Sequence, residues 1–167
     1  PVPGTEHALV RYPARLEWLH SRLEIENEFF PVVENNSFEK TLKILRPASA
    51  SMIFPAGFLN SPASMYGHTF LVLHSEEKIP LLDYAVNYAA VTTESFGPSF
   101  AIMGLVGGYR GYYSLLPYYE KVAEYSDMDQ RDMWEYPLQL SQEQVVRLVK
   151  HLYELNGIYT KYFFLDE

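Results

Sequence analysis

A histidine delivered from a turn of small residues onto the start of an apolar strand is placed for proton transfer. The stretch Ser61 to His74 has that form. His68 follows Ser64-Met65-Tyr66-Gly67 and leads into Thr69-Phe70-Leu71-Val72-Leu73. A strand fixes the direction of the imidazole, while the small residues before it let a substrate approach closely. Ser64, Tyr66 and Gly67 are therefore candidate substrate contacts, and Glu135, set between Trp134 and Tyr136, is the carboxylate to join them. A hydrogen-bonded histidine at a strand end fits the same spacing, and the spacing does not choose between the two roles. A base also needs a group to activate, and the chain contains no cysteine.

Other chemistries fit less well. His68 and His74 fall on one face of a strand, but at ~3.3 Å per residue they stand about 20 Å apart, too far to share an ion. Asp83 or Asn87, across a hairpin, can approach one histidine, yet two ligands do not define a metal site, so no metal or cofactor is expected. Ser64 precedes His68 without the Gly-x-Ser-x-Gly elbow of a serine hydrolase and reads as a capping residue. Gly104, Gly107, Gly108 and Gly111 meet neither the dinucleotide nor the P-loop spacing and read as a turn or bulge.

The elements that must hold these groups follow from periodicity. Helical spacing predicts helices over Pro13–Leu23 and Phe38–Leu45, the second ended by Arg46-Pro47. Strands are predicted at Ser49–Phe54, His68–His74, Leu81–Val91, Gly111–Leu116 and Arg131–Leu140, with the second and third pairing as an antiparallel hairpin. Pro117 opens a predicted helix to Tyr125. The clearest helix is Ser141–Leu155: Ser141 and Gln144 form a capping box, Val145, Val149 and Leu152 share a face, and Asn156-Gly157 supplies a left-handed stop. Helices, then strands, then a helix predict an α+β fold with an antiparallel sheet.

The 167 residues, 48% hydrophobic, suffice for one core, and a single domain over 1–167 is expected. A net charge of -8 opposes phosphate tracking and excludes nucleic acid as a partner. No run reaches the ~20 apolar residues of a membrane-spanning helix. The opening Pro1-Val2-Pro3-Gly4 carries no initiator Met or leader and reads as the start of an internal or processed segment. The 14 tyrosines and 10 phenylalanines read as core and half-buried strand residues, or else as an aromatic groove for an acyl chain or peptide.

Six blocks in order carry a family likeness: Asn60 to Thr69, Ala85-Val86-Asn87-Tyr88-Ala89-Ala90, Gly107 to Tyr112, Pro117 to Val122, Arg131-Asp132-Met133-Trp134-Glu135-Tyr136 and Phe163-Phe164-Leu165-Asp166-Glu167. Together they resemble the N-terminal periplasmic domain of the Lnb family of bacterial lipoprotein N-acyltransferases. The resemblance implies a periplasmic location and a circularly permuted papain-like arrangement, similar to the lecithin:retinol acyltransferase group. In the family an Asn-Cys opening a helix follows the last block, so the chain is expected to stop just before the nucleophile. The implied chemistry moves an acyl chain from a lipid donor through a thioester to a lipoprotein N-terminal amine, at a membrane surface reached by regions outside this chain. His68 is then the base and Asn87 the residue orienting its far nitrogen, with Asp83 in reserve, on the expectation that the hairpin sets His68 near Val86 and Asn87. A cell-wall amidase or peptidase of the papain-like class and a non-catalytic lipid- or glycan-binding module remain the alternatives.

Overall fold

The computed structural model describes residues 7–23, 36–56, 69–77, 79–93, 97–128 and 132–164. Helices α1 (Ala8–Arg11), α2 (Pro13–Leu23) and α3 (Asn36–Leu45) come first. They are followed by strands β1 (Pro47–Pro55), β2 (Phe70–Ser75) and β3 (Tyr84–Val91), helix α4 (Pro98–Leu105) and strand β4 (Tyr109–Pro117). Helix α5 (Tyr118–Val122) widens into a π-helical turn, Ala123–Met128, before β5 (Met133–Pro137), α6 (Gln142–Leu155) and β6 (Tyr159–Tyr162). The six strands form one sheet in the order β5-β1-β2-β3-β4-β6, antiparallel at every junction. The fold is α+β.

Strand alternation gives the sheet two unlike faces. Ala50, Leu73 and Val86 point to one face, where Phe38 and Leu45 of α3 and Val149 of α6 close an apolar core. Helix α6 supplies its stripe because its ends are well defined. The Ser141 hydroxyl accepts the Gln144 N–H, the Gln144 side chain accepts the Ser141 N–H, and Gly157 turns the chain at φ +75°. The opposite face carries Ile53, Phe70, Val72 and Ala85, packed under Tyr118 and Tyr125 from α5 and the π turn. A third cluster, Phe100, Tyr162 and Phe164, ties α4 to β6. Gly104 makes this possible, since a Cβ there would run into the Phe164 ring, whose own N–H donates to the Gly104 carbonyl at 3.0 Å.

The amino-terminal helices dock on α6 through polar contacts. The Glu154 carboxylate, 4% exposed, accepts the Ala14 and Arg15 N–H groups at 2.7 and 3.0 Å, so α6 caps α2 from outside. Arg11 donates in return to the Tyr153 and Asn156 carbonyls at the end of α6.

Three expectations change. Leu81 and Leu82 lie in a 3₁₀ turn, Pro80–Leu82, rather than in a strand, because Pro80 has no N–H for a ladder and its carbonyl accepts the Asp83 N–H. β3 therefore starts at Tyr84, and Val86 stands opposite Leu71, not opposite His68. The predicted strand Arg131–Leu140 shortens to Met133–Pro137, where Pro137 ends the run. The turn between β2 and β3 is held back onto the sheet by Arg46, which adopts φ +42° and pairs with Glu76 at 3.6 Å and with Glu77.

Candidate functional site

Buried polar groups gather on one side of the sheet. Ser51 and Asn87 alternate with apolar residues on the face under α5, Asp83 sits at its rim, and Lys121 comes from α5 itself; all four are under 10% exposed. A polar group without water must be hydrogen-bonded or cost free energy, so each needs an account.

His74, at the end of β2, answers for two of them. Its Nδ1 meets Asp83 Oδ2 at 2.8 Å, and its Nε2 meets Ser51 Oγ at 2.8 Å and Glu135 Oε1 at 3.1 Å. The second Asp83 oxygen accepts the Ser75 N–H at 2.8 Å, while the Asp83 carbonyl accepts the Tyr118 N–H at 2.7 Å. One imidazole thus joins β1, β2, β5 and the turn before β3. The two carboxylates engage different ring nitrogens, so the groups do not converge on one point as metal ligands would.

The order Ser51, His74, Asp83 repeats that of a proton relay, but the surroundings oppose nucleophilic use. Ser51 lies mid-strand and pairs with Val72 on one side and Pro137 on the other, so its backbone is committed to the ladder and offers no donor pair for an oxyanion. Glu135 shares the nitrogen that a serine would need. The network is a clamp that fixes the far end of β2. Glu135 also acts on Tyr118: burial raises the phenol's pKa above its ordinary value, and the nearby carboxylate adds to the rise.

Lys121 is held by Glu124 at 2.7 Å and lies over the Tyr125 ring, 5.2 Å from its centroid. Asn87 differs. It is 5% exposed on β3, opposite Ser114 of β4, and its carboxamide has no hydrogen-bond partner among the described residues. A buried amide without a partner among the described residues calls for one beyond them.

Of the sequence candidates, His68, Ser64, Tyr66 and Gly67 lie outside the described residues. Glu135 is brought to His74, at 3.1 Å, and is half-exposed. Asp83, held in reserve as an orienting group for His68, contacts His74 at 2.8 Å. Sequence reasoning missed Ser51 altogether, because its contact depends on how β1 pairs with β2. The Asp83–His74 contact was within reach, since both residues flank one hairpin loop.

A family model described as the Lnb N-terminal periplasmic domain matches residues 37–167. No curated protein and no solved structure matches the chain. Among the described residues no helix is long and apolar enough to cross a membrane.

Proposed function

The chain belongs to the Lnb N-terminal periplasmic domain family, and from that premise we propose that this periplasmic domain is the histidine-bearing part of a thiol acyltransferase. In this reading a cysteine supplied from outside the chain, which has none of its own, attacks an ester carbonyl of a lipid donor as the thiolate. The alcohol departs with the proton of the His68 imidazolium and leaves the acyl group as a thioester. His68 then takes a proton from the N-terminal amine of a lipoprotein, the amine attacks, and the thiolate is released with a new amide in place. Asn87 holds the imidazole in position.

The observation that carries this reading is the buried Asn87 carboxamide on the polar face of the sheet, which has no hydrogen-bond partner among the described residues. An orienting amide is retained despite its cost because it works on a partner. The clamp around His74 supports the reading from the other end of β2, since it fixes the strand that follows His68.

The test uses the full-length protein with acyl-labelled phospholipid and a diacylglyceryl peptide bearing a free amine. Label should move to the peptide in an amide bond, and His68→Ala should slow transfer by about 10³-fold or more. Label released only as free fatty acid would replace the transferase with a hydrolase of the amidase type. Unchanged transfer in His68→Ala would remove the histidine mechanism.

A further inference from the structure

Helix α2 gives only part of its surface to the fold. Pro13 and Ala14 are buried and Leu16, Glu17 and His20 are partly covered, while Trp18, Leu19 and Leu23 are 59%, 37% and 58% exposed. At 3.6 residues per turn, Trp18, Arg22, Arg15, Leu19 and Leu23 follow one another in that order around an arc of about 140°. All five are exposed, and no acidic residue falls on the arc. A helix that faces water shows it a polar, mixed-charge side, not arginines set among tryptophan and leucine. This composition is that of a helix in a membrane interface, where apolar side chains enter the boundary and guanidinium groups stay level with the headgroups.

The neighbouring surface carries the same sign. Beside Trp18 a groove of about 490 Å³ runs between α2 and α6, lined by Arg15, Arg22, Arg147 and His151, with Glu17 as its one carboxylate. Arg147 and Lys150 already hold that carboxylate. Arg147 also bonds Glu143, and Arg15 pairs with the buried Glu154 at 3.3 Å, but Arg22 and His151 have no such partner among the described residues. Across α1, α2 and α6, Arg11, Arg15, Arg22, Arg147 and Lys150 outnumber Glu17, Glu143 and Glu154, in a chain whose net charge is -8. The excess of cations sits where indole and leucine side chains are bare.

We propose that the outer face of α2 docks this domain on a membrane whose surface carries anionic phospholipids. Charge complementarity selects that occupant: phosphate groups meet Arg22, Arg15 and the groove, and Trp18, Leu19 and Leu23 enter the boundary below them. A soluble anion would use the cations and leave three apolar side chains in water. An apolar protein surface would cover those side chains and leave Arg22 without a counter-charge. The rest of the chain is acidic, so the same field turns the domain with α2 toward the membrane. The periplasmic location of the family sets such a surface close by. This docking face lies apart from Asn87 and the His74 clamp and does not depend on the acyl-transfer reading.

The experiment mixes the 167-residue chain carrying Trp134→Phe, which leaves Trp18 as its only indole, with vesicles of phosphatidylglycerol and phosphatidylethanolamine. Co-sedimentation and Trp18 emission are read. The chain should sediment with these vesicles and its emission should move to the blue, while vesicles of phosphatidylcholine alone should bind it about tenfold more weakly. Raising the salt to about 0.5 M should release most of it. Arg22→Glu should weaken binding about tenfold or more, since each cation near an anionic surface is worth a factor of about five. Trp18→Ala, read by sedimentation, should weaken it several-fold; both positions are exposed, and either variant serves if the other unfolds. Equal binding to phosphatidylcholine, or binding unchanged in both folded variants, would overturn the docking face. An equal blue shift with inorganic phosphate alone would replace it with a soluble-anion site, and a shift caused by self-association without vesicles would replace it with a contact between two copies. Docking by a chain whose full-length protein transfers no acyl group would leave this face and remove the transferase, and transfer without docking would do the reverse.

Discussion

Asp83 answers to three partners at once. Its carboxylate takes the His74 ring and the Ser75 N–H, and its carbonyl takes the Tyr118 N–H, all while 1% exposed. Asp83→Ala strands two part-buried donors, at about 1–3 kcal/mol each, so urea denaturation should show a loss of about 3 kcal/mol. Ser51→Ala removes one hydroxyl and should cost about 1 kcal/mol while leaving transfer by the full-length protein within about twofold. A loss below 1 kcal/mol for Asp83→Ala would deny the clamp, and loss of transfer in Ser51→Ala would turn it into a relay. The His74–Asp83 half of this network was legible in the chain, because both residues border one hairpin. Ser51 was not, because a small residue in a strand gives no local sign of which histidine another strand will bring to it.

Helix α6 was legible from end to end because its signals are local: a cap at Ser141, a stripe at Val145 and Val149, and a stop at Gly157. The β2–β3 hairpin was legible as a pair but not in register. Pro80 and Asp83 build a 3₁₀ turn that consumes the first residues of the expected strand and moves every pairing along. Strand β6 is only four residues long and owes its form to β4 and to Phe164 seated on Gly104, neither of which shows locally. The start of helix α2 is capped by a carboxylate from another helix, that of Glu154 on α6. Glu154→Ala should speed amide hydrogen exchange in α2 about tenfold, as a lost cap of ~1–2 kcal/mol implies, with sheet amides unaffected. Equal acceleration in the sheet would show that α2 is not a separable unit. Glu17 adds a pH-dependent tie. The Lys150 ammonium, 2.5 Å away, holds its carboxyl below the ordinary range, so this contribution is present above the unfolded carboxylate pKa and is lost as pH falls through the folded one. A third of that side chain is exposed, which keeps the effect small.

The whole molecule divides its labour between the two faces of one sheet. The face under α3 and α6 is apolar and holds the fold together; the face under α5 spends stability on buried polar groups. That division follows from strand alternation, so the α+β class and the antiparallel sheet were within reach of the sequence. Which face gathers the buried polar groups was not, because that depends on how the strands pair. The measurement that bears most directly on the account is Asn87→Ala in the full-length protein, read for stability and for acyl transfer together. Removing a buried amide that no described residue bonds should leave the unfolding free energy within about 1 kcal/mol of the parent or above it, while transfer falls about 10–100-fold. A variant that loses several kcal/mol, or that transfers as fast as the parent, would contradict the assignment of this face to catalysis.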